Sequence, residues 1–219
     1  VHIRERNKTG EYLVVDSLEA LLGVVQGDVL ELHVWNAVVD DIERPDRVVF
    51  DLDPAPDVPW SSVVAAAFVL RDRLAARGLR AFPRLTGGKG LHVVVPLVPS
   101  AGWDVVYEFS RTLAASIVRA EPGRFTTRFA KEGRAGKILV DYKRNHRAAT
   151  TVASYSVRAN PDGAVVTPVA WTELPGLRGP DAFTVMNLRE RLGSLRRDPW
   201  DGFWSCRQTL SSRVSSRKN

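Results

Sequence analysis

The sequence of 219 residues contains one cysteine, Cys206, and one methionine, Met186. A single thiol excludes an internal disulfide and a zinc site built from cysteines, and it fits a reducing, cytoplasmic setting. No apolar run is long enough to cross a bilayer, and the residues after Val1 lack a signal-peptide layout, so no membrane partner is expected. Internal repeats are absent, and no linker is long enough to demand a second domain.

What is present is basic charge, unevenly spread. The formal net charge is +6 and the sequence pI is near 9.8, which suggests a polyanionic partner without naming one. Between Arg119 and Arg158 ten lysines and arginines stand against three acids, so this segment is the expected electrostatic footprint.

The most informative stretch is Val48-Val49-Phe50-Asp51-Leu52-Asp53-Pro54. Its apolar start reads as a buried strand, and side chains two apart on a strand share a face, so Asp51 and Asp53 point the same way. Carboxylates that close repel unless a cation sits between them. A divalent metal with oxygen ligands, Mg²⁺ or Mn²⁺, meets that need, whereas an ordinary solvated strand end is the simpler alternative.

The rest of the chain reads as alternating strands and helices. Val1–Glu5, Tyr12–Val15 and Val29–Trp35 are strand-like, the last placing His33 on the same face as Glu31. Ser17 is a suitable N-cap for a helix from Leu18 to Gln26, with Leu18, Leu21, Leu22 and Val25 on one face. A second helix is expected from Trp60 to Arg77, capped by Ser61 or Ser62 and closed at Gly78, with Val63, Ala67, Leu70 and Leu74 inward. A third runs from Trp103 to Arg119, with Val106, Phe109, Leu113 and Ile117 inward. Further strands are expected at Leu79–Leu85, Leu91–Val95, Lys137–Asp141 and Val165–Trp171, then a last helix capped by Asp181 and an aromatic clasp from Asp198 to Trp204. The expected fold class is α/β of the α+β type, a mixed, largely antiparallel central sheet flanked by helices.

Two more stretches carry chemistry. Between two strands lies Thr86-Gly87-Gly88-Lys89-Gly90, where glycines let backbone N–H groups approach an anion and Lys89 adds a compact positive charge. A β-type run follows it, so it is not a Walker A loop; a hairpin turn with a surface lysine is the simpler alternative. His92, two residues further, could contact a phosphate or serve as a packed strand residue. Asp141 ends another strand and can join Asp51 and Asp53 in a cluster able to hold two divalent ions, with Lys143, Arg144 and Arg147 just beyond it.

Taken together, Glu31-Leu32-His33-Val34-Trp35-Asn36, Phe50-Asp51-Leu52-Asp53-Pro54, Thr86-Gly87-Gly88-Lys89-Gly90-Leu91-His92, Val140-Asp141-Tyr142 with Arg144-Asn145, and Tyr155-Ser156-Val157-Arg158 closely resemble the polymerase domain of bacterial DNA ligase D, of the archaeo-eukaryotic primase superfamily. The resemblance implies a primase-polymerase catalytic core in which Asp51, Asp53 and Asp141 are the catalytic, metal-binding residues. It implies that Thr86, Lys89, His92 and Arg158 hold a nucleotide triphosphate, with His33 and Arg144 as further nucleotide-site positions.

The activity implied is a nucleotidyltransferase that extends primer 3′ ends with NTPs or dNTPs, ribonucleotides preferred, using Mn²⁺ or Mg²⁺. Its implied setting is gap filling in non-homologous end joining of gapped or broken DNA, with Ku and a DNA ligase domain, on the bacterial nucleoid. Family members usually carry serine where this chain has Thr86, and they begin upstream of Val1. The expectation is therefore a catalytic domain over 1–210, truncated at its N-terminus relative to the family, with a disordered Ser/Arg tail over 211–219. A non-catalytic DNA-end or nucleotide-binding module and a metal-dependent nuclease are the competing readings.

Overall fold

The structure, a computed structural model, describes residues 1–5, 7–130 and 132–210. The tail expected over 211–219 lies outside the described residues. In chain order the elements are β1 (His2–Arg4), β2 (Thr9–Glu11), α1 (Leu18–Gln26), β3 (His33–Trp35), β4 (Arg47–Pro54), α2 (Trp60–Ala75), β5 (Phe82–Leu85), β6 (Leu91–Pro96), α3 (Trp103–Ala120), β7 (Phe125–Thr126), β8 (Ile138–Asp141), β9 (Thr150–Val152), β10 (Thr167–Pro168) and α4 (Leu188–Ser194). Six strands form the central sheet in the order β10-β5-β6-β4-β8-β7, antiparallel throughout except for the parallel pair β7–β8. The fold is thus the mixed α+β arrangement expected. Two ribbons, β1–β2 and β3–β9, lie outside this sheet. Among the described residues no helix is long and apolar enough to cross a membrane.

The period of two along the central strands divides the molecule. Val48, Phe50 and Leu52 of β4, with Val93 and Val95 of β6 and Ile138 and Val140 of β8, face the main core. Onto them α2 lays Val63, Ala67, Leu70 and Leu74, and α3 lays Val106, Leu113 and Ile117. Helix α2 ends where the chain turns left-handed at Gly78 (φ 74°), with Leu79 N–H returning to Leu74 and Gly78 N–H to Ala75. On the opposite face Val49, Phe82 and Val94 form a smaller core sealed by Phe203 and Trp200. The Trp200 and Phe203 rings stack at 4.6 Å, and Phe203 meets Phe82 edge-on at 5.2 Å, which makes the C-terminal aromatic clasp a working part of the sheet.

Several local expectations are corrected. The second strand is Thr9–Glu11, not Tyr12–Val15, because the ribbon register to β1 ends at Glu11 and the Tyr12 ring packs against Trp35 instead. Only His33–Trp35 of the Val29–Trp35 run is strand, the length matched by β9. The N-cap position of α2 is Pro59, with no side-chain hydrogen bond from Ser61 or Ser62. The strand expected from Leu79 begins at Phe82. Of Val165–Trp171, only Thr167–Pro168 joins the sheet, while Val165 and Val166 bond instead to Phe183 and Ser156. Asp181 caps no helix: Phe183 and Thr184 are engaged with Val165 and Ala164, and α4 starts only at Leu188 after Asn187. Helix α1 has the expected bounds and Ser17 cap, yet no residue of it is buried among the described residues.

Phe203 closes the smaller core, and truncating a buried ring of this kind costs about 3 to 5 kcal/mol. Phe203→Ala is therefore expected to lower the urea unfolding midpoint sharply, while Trp204→Ala, at a ring 79% exposed, moves it little.

Candidate active site

On the face away from the helices, the four middle strands set one residue each into a single row. The register pairs Arg84 of β5 with His92 of β6, His92 with Asp51 of β4, and Asp51 with Asp141 of β8. Asp53 follows two residues on from Asp51 and shares its face. Exposure grades along the row: the side chains of His92 and Asp141 are nearly buried, Asp51 is 16% exposed, and Asp53 is 41% exposed.

Asp51 and Asp141 are direct cross-strand neighbours of like charge, an arrangement that is destabilising unless compensated. Arg144 supplies the compensation, its Nε 3.2 Å from Asp141 and a terminal nitrogen 3.5 Å from Asp51. Asp141 also accepts the Lys143 N–H at 2.7 Å. Arg134 reaches from the 127–137 loop and donates to the Asp53 carboxylate at 2.7 Å and to its carbonyl at 3.0 Å. Burial pushes the Asp51 carboxyl upward, but His92 and the guanidinium groups of Arg144 and Arg84 outweigh it and hold it below its ordinary value. At Asp141 burial wins, aided by the charge of Asp51, and the carboxyl is raised despite Arg144. Two like charges in contact thus separate in proton affinity, as expected for such a pair.

The Thr86–Gly90 loop closes on itself. The Thr86 hydroxyl donates to Gly90 O at 2.9 Å and accepts from Gly88 and Gly90 N–H, each at 3.3 Å, so its side chain shapes the loop. Gly87 sits at φ 66°, and a Cβ there would meet Arg158 Cγ at 2.7 Å, which places Arg158 directly over the loop. Arg158 and His33 share one carboxylate, Glu31, at 3.1 and 2.9 Å. All nine residues singled out in the sequence line one cavity of about 320 Å³: His33, Asp51, Asp53, Thr86, Lys89, His92, Asp141, Arg144 and Arg158. Exposed Lys89 and Asp53 also border a second hollow, of about 490 Å³, walled by Arg134 and Asp57.

The donor chemistry of the three aspartates fits a hard divalent cation. They offer only carboxylate oxygens, and each draws a guanidinium into contact, so the cluster demands positive charge. Among the described residues, however, no three such groups converge closely enough to hold an ion as they stand. Arg134 and Arg144 occupy the carboxylates, and a metal would have to compete with them.

The sequence pattern of the LigD primase-polymerase domain matches residues 1–200. The chain belongs to this family. It is 43% identical over 201 residues to the multifunctional non-homologous end joining protein LigD of Pseudomonas aeruginosa, covering 91% of this chain and 24% of that protein. With the bifunctional non-homologous end joining protein LigD of Bacillus subtilis it shares 30% identity over 183 residues, covering 83% of this chain and 30% of that protein. The chain therefore spans about a quarter to under a third of the length of these relatives. Among solved structures, the polymerase domain from Mycobacterium tuberculosis ligase D in complex with DNA superposes with a TM-score of 0.79 at 32% identity, covering 88% of this chain and 69% of that one. As a LigD primase-polymerase domain, the chain is a nucleotidyltransferase of the polymerase class.

Some residues that organise the site of this LigD domain had no role assigned from sequence, although Asn36 and Asn145 stand within its motifs. Asn145 is fully buried and clamps the Val49 backbone with both ends of its amide, at 2.7 and 2.8 Å, two residues before Asp51. Asn36 holds the Arg144 carbonyl at 2.9 Å and accepts from Thr151. Arg84 and Arg134 stand in a strand and a loop with no motif to mark them. The periodicity of β5, which puts Arg84 on the face of Phe82, was the only available signal.

A Cβ on Gly90 would lie 2.3 Å from the Leu52 carbonyl oxygen and 3.4 Å from Asp51 Oδ1. Gly90→Ala is expected to destabilise the protein by about 1 to 3 kcal/mol through overpacking and to disturb the loop, read by urea unfolding and amide chemical shifts. Gly88→Ala, whose nearest contact would be 3.7 Å, should fold with unchanged stability.

Proposed function

We propose that this chain adds nucleoside triphosphates, ribonucleotides in preference, to the 3′ end of a primer strand at gaps or breaks in DNA during non-homologous end joining. One observation carries the reading: a carboxylate row and a set of phosphate-suited cations line the same cavity. A polymerase needs both, because the attacking hydroxyl and the departing pyrophosphate lie on opposite sides of the transferred phosphorus. That the Mycobacterium tuberculosis neighbour was solved with DNA, and that the relatives are end-joining proteins, supports the choice of substrate and setting.

In this reading Asp51, Asp53 and Asp141 hold two divalent ions, Mn²⁺ or Mg²⁺. When bound, such ions would supply Lewis-acid activation of the primer hydroxyl and charge neutralisation for the leaving pyrophosphate. Lys89 and Arg158 bind the triphosphate as a point charge and a planar fork, and His92 donates to a phosphate oxygen. Arg158 leaves Glu31 to do so, which exchanges one carboxylate partner for a more highly charged anion. Arg144 bridges Asp51 and Asp141 and keeps the pair in register, and His33 orients the nucleotide within the same cavity. The basic segment from Arg119 to Arg158 supplies backbone contacts to DNA. Ku and a DNA ligase domain are the proposed partners, and the nucleoid the proposed location. A nuclease using the same carboxylates is disfavoured, because Lys89 and Arg158 together exceed what a single scissile phosphate requires.

The deciding measurement is primer extension on a gapped duplex with Mn²⁺ and each ribo- and deoxyribonucleoside triphosphate. Extension with pyrophosphate release, falling by about a thousandfold or more in an Asp51→Ala, Asp53→Ala variant, is the expected result. Strand cleavage without pyrophosphate would replace the reading with a nuclease, and DNA binding without either reaction would leave a binding module.

A further inference from the structure

The row of functional residues begins one strand earlier than the catalytic reading needs. Arg84 is 3% exposed, and among the described residues it makes no ion pair. A buried guanidinium with no carboxylate in direct contact is expensive, and it persists only where the surroundings hold it for a purpose. Three groups hold this one. It donates to His92 Nδ1 at 2.8 Å and to Ser154 Oγ at 3.2 Å, and it lies 5.9 Å from the Trp200 ring centroid. Trp200 is itself fixed by its indole N–H, which donates to the Pro83 carbonyl at 2.8 Å. The Nε of Arg84 is buried with no hydrogen-bond partner, so the group's placement serves its outer nitrogens.

The bond to His92 has only one possible sense. A guanidinium carries N–H donors and no acceptor, so Nδ1 of His92 must be the acceptor and bears no proton. A neutral imidazole then carries its proton on Nε2. That atom lies 3.6 Å from Asp51 Oδ2 and faces the cavity. We propose that Arg84 is a positioning residue that locks His92 in the Nε2–H tautomer, making it a fixed hydrogen-bond donor toward the cavity and closing it to service as a proton acceptor. The direction of that donor as the phosphate-binding group rests on the function proposed above; the tautomer itself does not. Arg84 also joins the C-terminal clasp to the active site, because Trp200 covers the guanidinium that holds His92.

The primary test needs only the folded full chain. With imidazole nitrogens labelled by ¹⁵N, long-range nitrogen–proton correlation spectra distinguish the two ring nitrogens, and His92→Gln identifies the His92 signals by their loss. The expected result at neutral pH is a pyridine-type Nδ1 and a pyrrole-type Nε2, shifting toward a mixture of tautomers in Arg84→Met and restored in Arg84→Lys, which keeps a donor. A protonated Nδ1 in the wild type, or a tautomer unchanged in Arg84→Met, overturns the proposal. The second arm measures nucleotide KM in primer extension. Arg84→Met is expected to raise KM about tenfold in the wild-type background and less than about twofold in His92→Gln, since its effect runs through His92. An equal effect in both backgrounds marks Arg84 as merely structural. Absence of extension in the wild type would count against the polymerase reading, while the spectra would still decide the tautomer.

Discussion

The structure turns on one unfavourable contact, the side-by-side placement of the Asp51 and Asp141 carboxylates on adjacent antiparallel strands. Nothing in strand pairing favours it; two anions at cross-strand distance repel. It exists because the surrounding chain brings cations to both and removes their freedom to move apart. Arg144 bridges the pair, Asn36 holds the Arg144 backbone, and Asn145 holds β4 beside them. The short turn Lys143–Asn145 after β8 is thus the brace that makes the carboxylate row tolerable.

That same repulsion is a store of affinity for positive charge. Each carboxylate is met by an arginine that is longer and softer in its demands than a metal ion, and each of these arginines comes from a loop or turn, not from the sheet. Glu31 plays the mirror role for the cations, pairing with both Arg158 and His33.

The sheet also explains why the chemistry sits where it does. The helices α2 and α3 cover one face completely, so polar groups have only the other. At one end of that face the aromatic clasp excludes water, and at the other end the carboxylates open to it. Arg84 and His92 lie at the border between the two, desolvated on the clasp side and polar on the cavity side. Burial lowers His92 away from its charged form, further opposed by Arg84 and Arg144 and only partly offset by Asp51, which suits a group used as a neutral donor.

What could be read from sequence was whatever depends on neighbours along the chain. The period of two in Val48–Asp53 set Asp51 and Asp53 on one face, the stripe of α2 marked its buried side, and the glycines between β5 and β6 marked a loop close to backbone. Short-range patterns failed where a distant partner decided the outcome. Tyr12–Val15 and Val165–Trp171 have strand composition but lack a regular strand partner over their length, and the apolar side of α1 has strong periodicity with nothing packed on it among the described residues. The nine candidate residues were legible as a set because their motifs are local, but their meeting in one cavity was not. The cross-strand register that aligns Arg84, His92, Asp51 and Asp141 pairs Asp51 with a residue 90 positions away, and Arg134 and Arg144 likewise reach aspartates 81 and 93 positions away. By itself the sequence determined which face each side chain takes on its own strand; the tertiary structure alone decided which strands lie side by side, because pairing depends on the hydrogen bonds and packing of the whole sheet.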